Sequence, residues 1–173
     1  MLNVLVIGTG NYVGGRGGSD FGTILPALCE WKRRGRELGT VTFVGTRATG
    51  AQDLDQKIQG LEDLMNVTLE ARCLPDGCTV DPGAYLKALK EIVRPACAIV
   101  VVPDELHGRI ATRALEAGMH ALVVKPLTPT LAEALTVVEA QRRHGVYGAV
   151  EFHKRWDASN LMLRDTLASG KLG

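Results

Sequence analysis

The apolar run Val4-Leu5-Val6-Ile7 leads directly into Gly8-Thr9-Gly10, and this junction can do the most definite chemistry in the sequence. Four consecutive β-favouring residues suit a strand covered on both faces, and glycines straight after it let the backbone turn tightly and approach a pyrophosphate. A dinucleotide laid over the turn would take its contacts from Gly8, Gly10, Asn11, Tyr12 and Val13. The spacing departs from G-x-G-x-x-G, because Val13 holds the third glycine position and Gly14 comes one residue late. Gly22, near the expected start of the next helix, can then take the packing role of the missing glycine.

A second pattern follows the next apolar run, where the chain reads Val44-Gly45-Thr46-Arg47. A site for NAD normally places a carboxylate there to accept hydrogen bonds from the adenosine ribose. This chain offers the Thr46 hydroxyl and the Arg47 guanidinium instead, a pair suited to a 2′-phosphate, so NADP is the expected cofactor and NAD the alternative. His107 falls in the first turn of an expected helix, where the helix dipole favours a neutral imidazole; a structural or cofactor-side contact is the expected role. Arg155 suits a phosphate or carboxylate through its fork of donors, or equally a salt bridge to a further domain. Trp156 reads as a packing anchor. Cys73 and Cys78 are separated by four residues and lack a convincing partner pair, so no metal site is expected.

The elements that must position these residues alternate along the chain. Strand patterns are expected at residues 41–44, 67–74, 97–102, 120–124 and 146–152, after the first at Val4. Helices are expected over 23–38, 54–65, 81–93, 104–117 and 130–144, with Asp104 as a cap and Gly118 and Gly145 as terminators. Strands that are nearly all apolar, alternating with helices, require a doubly wound parallel sheet of α/β class, Rossmann-like. In such a sheet Gly10, Pro103 and Lys125 each follow a strand and reach one rim. The segment Gly14-Gly15-Arg16-Gly17-Gly18 lengthens the first strand-to-helix loop, as a phosphate-covering flap or as a tolerated insertion.

With 173 residues, 46% of them hydrophobic, the chain can bury a core of ordinary domain size. Its net charge of +1, with both signs interspersed, provides no field for nucleic acid or an anionic membrane. The cluster Lys32-Arg33-Arg34-Arg36 reads as favourable charge on a helix C-terminus. The four cysteines read as reduced fillers. No secretory leader or membrane span is expected, which makes the cytoplasm the default.

Several further motifs resemble the family of glucose-fructose oxidoreductase and inositol dehydrogenase. They are Leu25-Pro26-Ala27-Leu28, Val102-Pro103-Asp104 with His107, and Ala114-Leu115-Glu116-Ala117-Gly118-Met119-His120. Lys125-Pro126-Leu127, Glu151-Phe152-His153-Lys154-Arg155-Trp156-Asp157 and the closing Ala168-Ser169-Gly170-Lys171-Leu172-Gly173 continue the match. The resemblance implies a Rossmann domain over residues 1–150, with 151–173 beginning the connection to an α+β substrate domain outside this chain. It implies an oxidoreductase of sugar, cyclitol or related polyol hydroxyls whose isolated cofactor half is inactive; a homo-oligomer at full length is left open by the sequence. The alternatives are a dinucleotide-binding module without turnover, or an enzyme that uses bound NAD transiently for net elimination, hydrolysis or epimerisation. By the same resemblance Lys125 is the catalytic residue, with Val102, Pro103, His107, Pro126 and Arg155 on the cofactor side. Where family members usually read Glu-Lys-Pro, this chain has Val124-Lys125-Pro126.

Overall fold

The computed structural model describes residues 1–77 and 80–171; Cys78, and with it the paired reading of Cys73 and Cys78, lies outside the described residues. The strands are β1 (Leu2–Ile7), β2 (Leu38–Val44), β3 (Ala71–Leu74), β4 (Ala96–Val100), β5 (His120–Val124) and β6 (Gly148–Glu151). They form one sheet in the order β3-β2-β1-β4-β5-β6, every neighbouring pair parallel. The helices are α1 (Asn11–Gly14), α2 (Ile24–Arg33), α3 (Ala48–Met65), α4 (Ala84–Glu91), α5 (Asp104–Glu116), α6 (Leu131–His144) and α7 (Ala158–Ala168). None of these helices is long and apolar enough to cross a membrane.

Alternation along β1 explains why its apolar run is continuous. Val4 and Val6 face a core shared with Leu25 and Leu28 of α2 and Leu54 and Ile58 of α3. Leu5 and Ile7 face the opposite core, with Ile110 and Ala114 of α5 and Val137 of α6. Successive side chains point to opposite faces, so only a strand buried on both sides needs apolar residues at every position.

Several element boundaries differ from the sequence expectation. The glycine turn leads at once into the short α1, which the sequence does not announce, while the helix expected from Thr23 is present as α2 with Thr23 as its cap. α2 ends at Arg33, because Gly35 takes a φ of 71° and Leu38 already opens β2. α3 begins at Ala48, well before Leu54; its first turns pack through the small buried residues Ala48 and Ala51, which carry little hydrophobic signal. The expected strand over 67–74 narrows to Ala71–Leu74, and the helix over 81–93 to Ala84–Glu91. Asp104 is the first residue of α5 and not its cap, a position Pro103 takes without a side-chain bond. α6 keeps the expected ends: the Thr130 hydroxyl accepts from the Glu133 amide, and Gly145 is left-handed with φ 63°.

The glycine-rich loop is anchored on α3. The Asp20 carboxylate accepts from the Arg16 and Gly22 amides at 2.8 and 2.9 Å, and these bonds hold its carboxyl below the usual range. The Lys57 ammonium bonds the carbonyls of Gly17 and Asp20 and lies over the Phe21 ring.

Burial pushes the Cys29 thiol up to about 11, and raises those of Cys73 and Cys97 as well. Since the thiolate is the nucleophile, these three residues should stay unmodified by maleimide near neutral pH in the native chain and react after denaturation. Peptide mapping by mass spectrometry checks this; rapid native labelling of Cys29 would contradict the packing.

Candidate functional site

β1 and β4 are neighbours at the point where the chain's winding reverses, so their carboxyl ends open a crevice. It holds about 680 Å³ and is bordered by the glycine turn, Thr46, Pro103, His107 and Lys125. Two glycines shape it in different ways. Gly8 has a φ of 119°, and a Cβ there would lie 1.8 Å from the Val101 carbonyl oxygen, so only glycine lets β1 pass the end of β4. A Cβ on Gly10 would meet nothing within 4 Å, because that backbone faces the open crevice. The first α1 amides have no carbonyl one turn earlier to bond; the Val13 and Gly14 amides donate back to Gly10 at 2.9 and 3.2 Å.

Of the residues singled out in the sequence, Gly8, Gly10, Asn11, Tyr12, Thr46, Val102, Pro103, His107 and Lys125 border this crevice. Four do not. Val13 is fully buried in the core between β1, α2 and α3. Arg47 lies just beyond the rim as the exposed cap residue of α3, in no ion pair among the described residues. Pro126 stands behind Lys125, where its carbonyl engages His107. Arg155 lines a separate cavity of about 630 Å³, with Phe152, Trp156, Asn160 and Leu161. Lys125 and His153 border both cavities.

Sequence reasoning passed over Thr9, whose hydroxyl fills the space a side chain at Gly45 would need; a Cβ there would lie 2.4 Å from it. Tyr85 and Arg109 also border the crevice, from α4 and α5. Nothing in their local sequence marks them, since the sheet alone brings those helices to the rim.

His107 is 1% exposed, and both of its ring nitrogens face carbonyl oxygens: Pro126 at 2.6 Å from Nδ1 and Val102 at 2.9 Å from Nε2. The ring ties the segment after β4 to the segment after β5, next to Lys125. Lys125 itself is exposed, and its ammonium enters no ion pair among the described residues.

The glycine turn is tied to β6 as well. The Tyr12 hydroxyl donates to Glu151 Oε2 at 2.9 Å and lies 3.1 Å from His153 Nδ1. Burial and the Glu151 carboxylate push the Tyr12 phenol up to about 12, so it remains a donor throughout the neutral range. Glu151 pairs in register with Val124, and its carbonyl accepts from the Lys125 amide at 3.2 Å. Thus a carboxylate stands one strand away from the position where the sequence lacks its expected glutamate.

Open space above Gly10 and the unbonded first amides of α1 fit a pyrophosphate: the one permits close approach, the other supplies donors. A model of the GFO_IDH_MocA family, described as an oxidoreductase family with an NAD-binding Rossmann fold, matches residues 2–152. The chain belongs to this family. D-glucoside 3-dehydrogenase of Escherichia coli (strain K12) is 33% identical over 93 residues, 54% of this chain and 25% of that protein. The scyllo-inositol 2-dehydrogenase (NADP(+)) IolW of Bacillus subtilis (strain 168) is 33% identical over 87 residues, 49% of this chain and 24% of its own length. Among solved structures, KijD10, a 3-ketoreductase from Actinomadura kijaniata in complex with NADP and TDP-benzene, superposes with a TM-score of 0.69 at 21% identity. That superposition covers 98% of this chain and 42% of the other. The chain thus spans well under half the length of the proteins it matches.

Proposed function

We propose that this family member is the cofactor-binding part of an oxidoreductase that prefers NADP and acts on a sugar, cyclitol or related polyol hydroxyl. Residues 1–150 form the dinucleotide domain in this reading, and 151–173 begin the connection to a substrate domain. The observation that carries it is the crevice at the ends of β1 and β4, with an open glycine backbone at one side and the unpaired Lys125 ammonium at the other. The names of the sugar and inositol dehydrogenases it resembles support the substrate class.

Bound there, a nicotinamide dinucleotide would supply the acceptor or donor for hydride. The chain's own residues do the rest. Gly8 to Tyr12 hold the pyrophosphate through backbone amides, while Thr46 and Arg47 meet the 2′-phosphate at the end of β2. Lys125 places a fixed positive charge where the reacting hydroxyl would develop alkoxide character.

Titration of NADP and NAD into the wild type and Arg47→Ala tests the cofactor preference. A hydrogen bond to a charged group contributes about 1.5–3 kcal/mol, so Arg47→Ala should weaken NADP roughly 10- to 150-fold and leave NAD nearly unchanged. Parallel losses for both cofactors, or none for either, would remove Arg47 from the 2′-phosphate site. Failure of both dinucleotides to bind the wild type would overturn the function itself.

A further inference from the structure

The Tyr12 side chain ties the glycine turn to the far edge of the sheet. It is the second residue of α1 and borders the crevice, and its hydroxyl donates to Glu151 Oε2 at the end of β6, 2.9 Å away. β4 and β5 lie between β1 and β6, so the bond spans their carboxyl ends, on the side of the turn where Lys125 and His153 border the crevice. Thr46, after β2, borders it on the opposite side. Glu151 itself borders neither cavity, and its side chain is 18% exposed. It pairs in register with Val124, whose side chain lies in the same core as Val13 of α1, so the carboxylate projects to the face of the sheet that α1 covers. A helix of four residues is too short to be stable by itself, and the direction of the Tyr12 ring is therefore set from outside α1. Glu151 sets it through a charge-assisted bond. His153 adds to it, with Nδ1 3.1 Å from the hydroxyl and the two rings 5.9 Å apart.

A dinucleotide with its pyrophosphate over Gly10 carries one nucleoside to each side of the glycine turn. In the cofactor reading above, on which this inference rests, the Thr46 side takes the adenosine, and the Lys125 side is left for the nicotinamide riboside. We propose that the Tyr12 ring is the contact surface for the nicotinamide riboside and that Glu151 is the positioning residue that keeps the ring there. An aromatic ring offers a heteroaromatic base a large apolar face and a favourable offset stack. A ring already fixed loses little freedom when the ligand arrives, whereas a phenol free to turn must first be ordered at the expense of affinity. Glu151 thus adds to binding without touching the ligand. Strand β6 becomes part of the cofactor site, although no residue from Gly148 to Glu151 borders the crevice.

Titrations in the full polypeptide that carries this chain separate this role from support of the turn. NADP and NAD are compared with 2′-phospho-ADP and ADP, which keep the adenosine and the pyrophosphate but lack the nicotinamide riboside. Tyr12→Ala should weaken both dinucleotides about 5- to 150-fold, the range for truncating an aromatic ring under a stacked base, and change the two fragments less than about threefold. Tyr12→Phe and Glu151→Ala should each give a smaller loss, again confined to the dinucleotides. Combined, they should lose no more than the larger single loss, because both remove one bond. Glu151→Gln should recover part of the Glu151→Ala loss, since its carbonyl still accepts from the hydroxyl. Equal losses for dinucleotides and fragments would make Tyr12 a prop of the glycine turn, and unchanged dinucleotide affinity in Tyr12→Ala would leave the ring without a ligand; either result overturns the proposal. Losses in Glu151→Ala that add to those of Tyr12→Phe would remove Glu151 from the positioning role. Unchanged fragment binding throughout would leave the cofactor reading standing, whereas a wild type that binds neither fragments nor dinucleotides would remove both.

Discussion

Replacing Gly8 by Ala is expected to destabilise the chain by about 3–5 kcal/mol, adding the strain of a positive φ to the cost of overpacking. The methyl group would begin 1.8 Å from the Val101 carbonyl oxygen, and backbone, unlike a flexible side chain, cannot swing aside. Since a domain of this size is stable by only about 5–15 kcal/mol, the denaturant midpoint should fall steeply. Gly10→Leu makes the contrasting case. Its side chain enters open crevice, so stability should change by no more than about 1 kcal/mol, while dinucleotide binding is lost. Comparable unfolding midpoints for the two variants would show that the glycines are not divided between packing and binding.

Lys125→Ala in the full polypeptide is expected to reduce kcat by about 10²- to 10³-fold, the usual cost of removing one preorganised group from a developing oxyanion. Dinucleotide affinity should change less than about threefold. The side chain is exposed, enters no ion pair among the described residues, and follows a strand whose buried end does not depend on it. Folding should therefore be intact, and near-ultraviolet circular dichroism with a dinucleotide titration verifies this. A parallel loss of affinity and kcat would make Lys125 a cofactor clamp. Steady dehydrogenase turnover of a polyol by residues 1–173 alone would contradict the division between a cofactor half and a substrate half. The cavity beside Lys125 is open in this chain, and α7 flanks it without burying a residue.

The dinucleotide turn was legible because its demands are local. A continuous apolar strand followed by glycines states both burial on two faces and a backbone held clear, and these are properties of neighbouring residues. The absence of a carboxylate after β2, where the chain has Thr46-Arg47, is likewise read from neighbouring residues alone. Motif spacing went astray just after the turn, because α1 begins at Asn11 and buries Val13 where a third glycine was sought. Gly22, with a φ of 67°, takes the close-packing role expected of it, since a Cβ there would lie 2.7 Å from the Asn11 carbonyl oxygen of α1.

By itself the sequence determined the alternation of strands and helices, and with it a doubly wound sheet, because side-chain period and turn chemistry are written into adjacent residues. It also determined which strand ends carry Gly10, Pro103 and Lys125. Only the tertiary structure decided which of the named residues share a cavity, since that depends on contacts between elements far apart in the chain. It set Arg155 in a different cavity from the glycine turn and closed both nitrogens of His107 on the carbonyls of Val102 and Pro126. It joined Tyr12, at the end of β1, to Glu151 and His153 across the ends of β4 and β5. No periodicity can encode that last contact, for it arises when β6 takes its place in the sheet and brings its end beside the first turn of the chain.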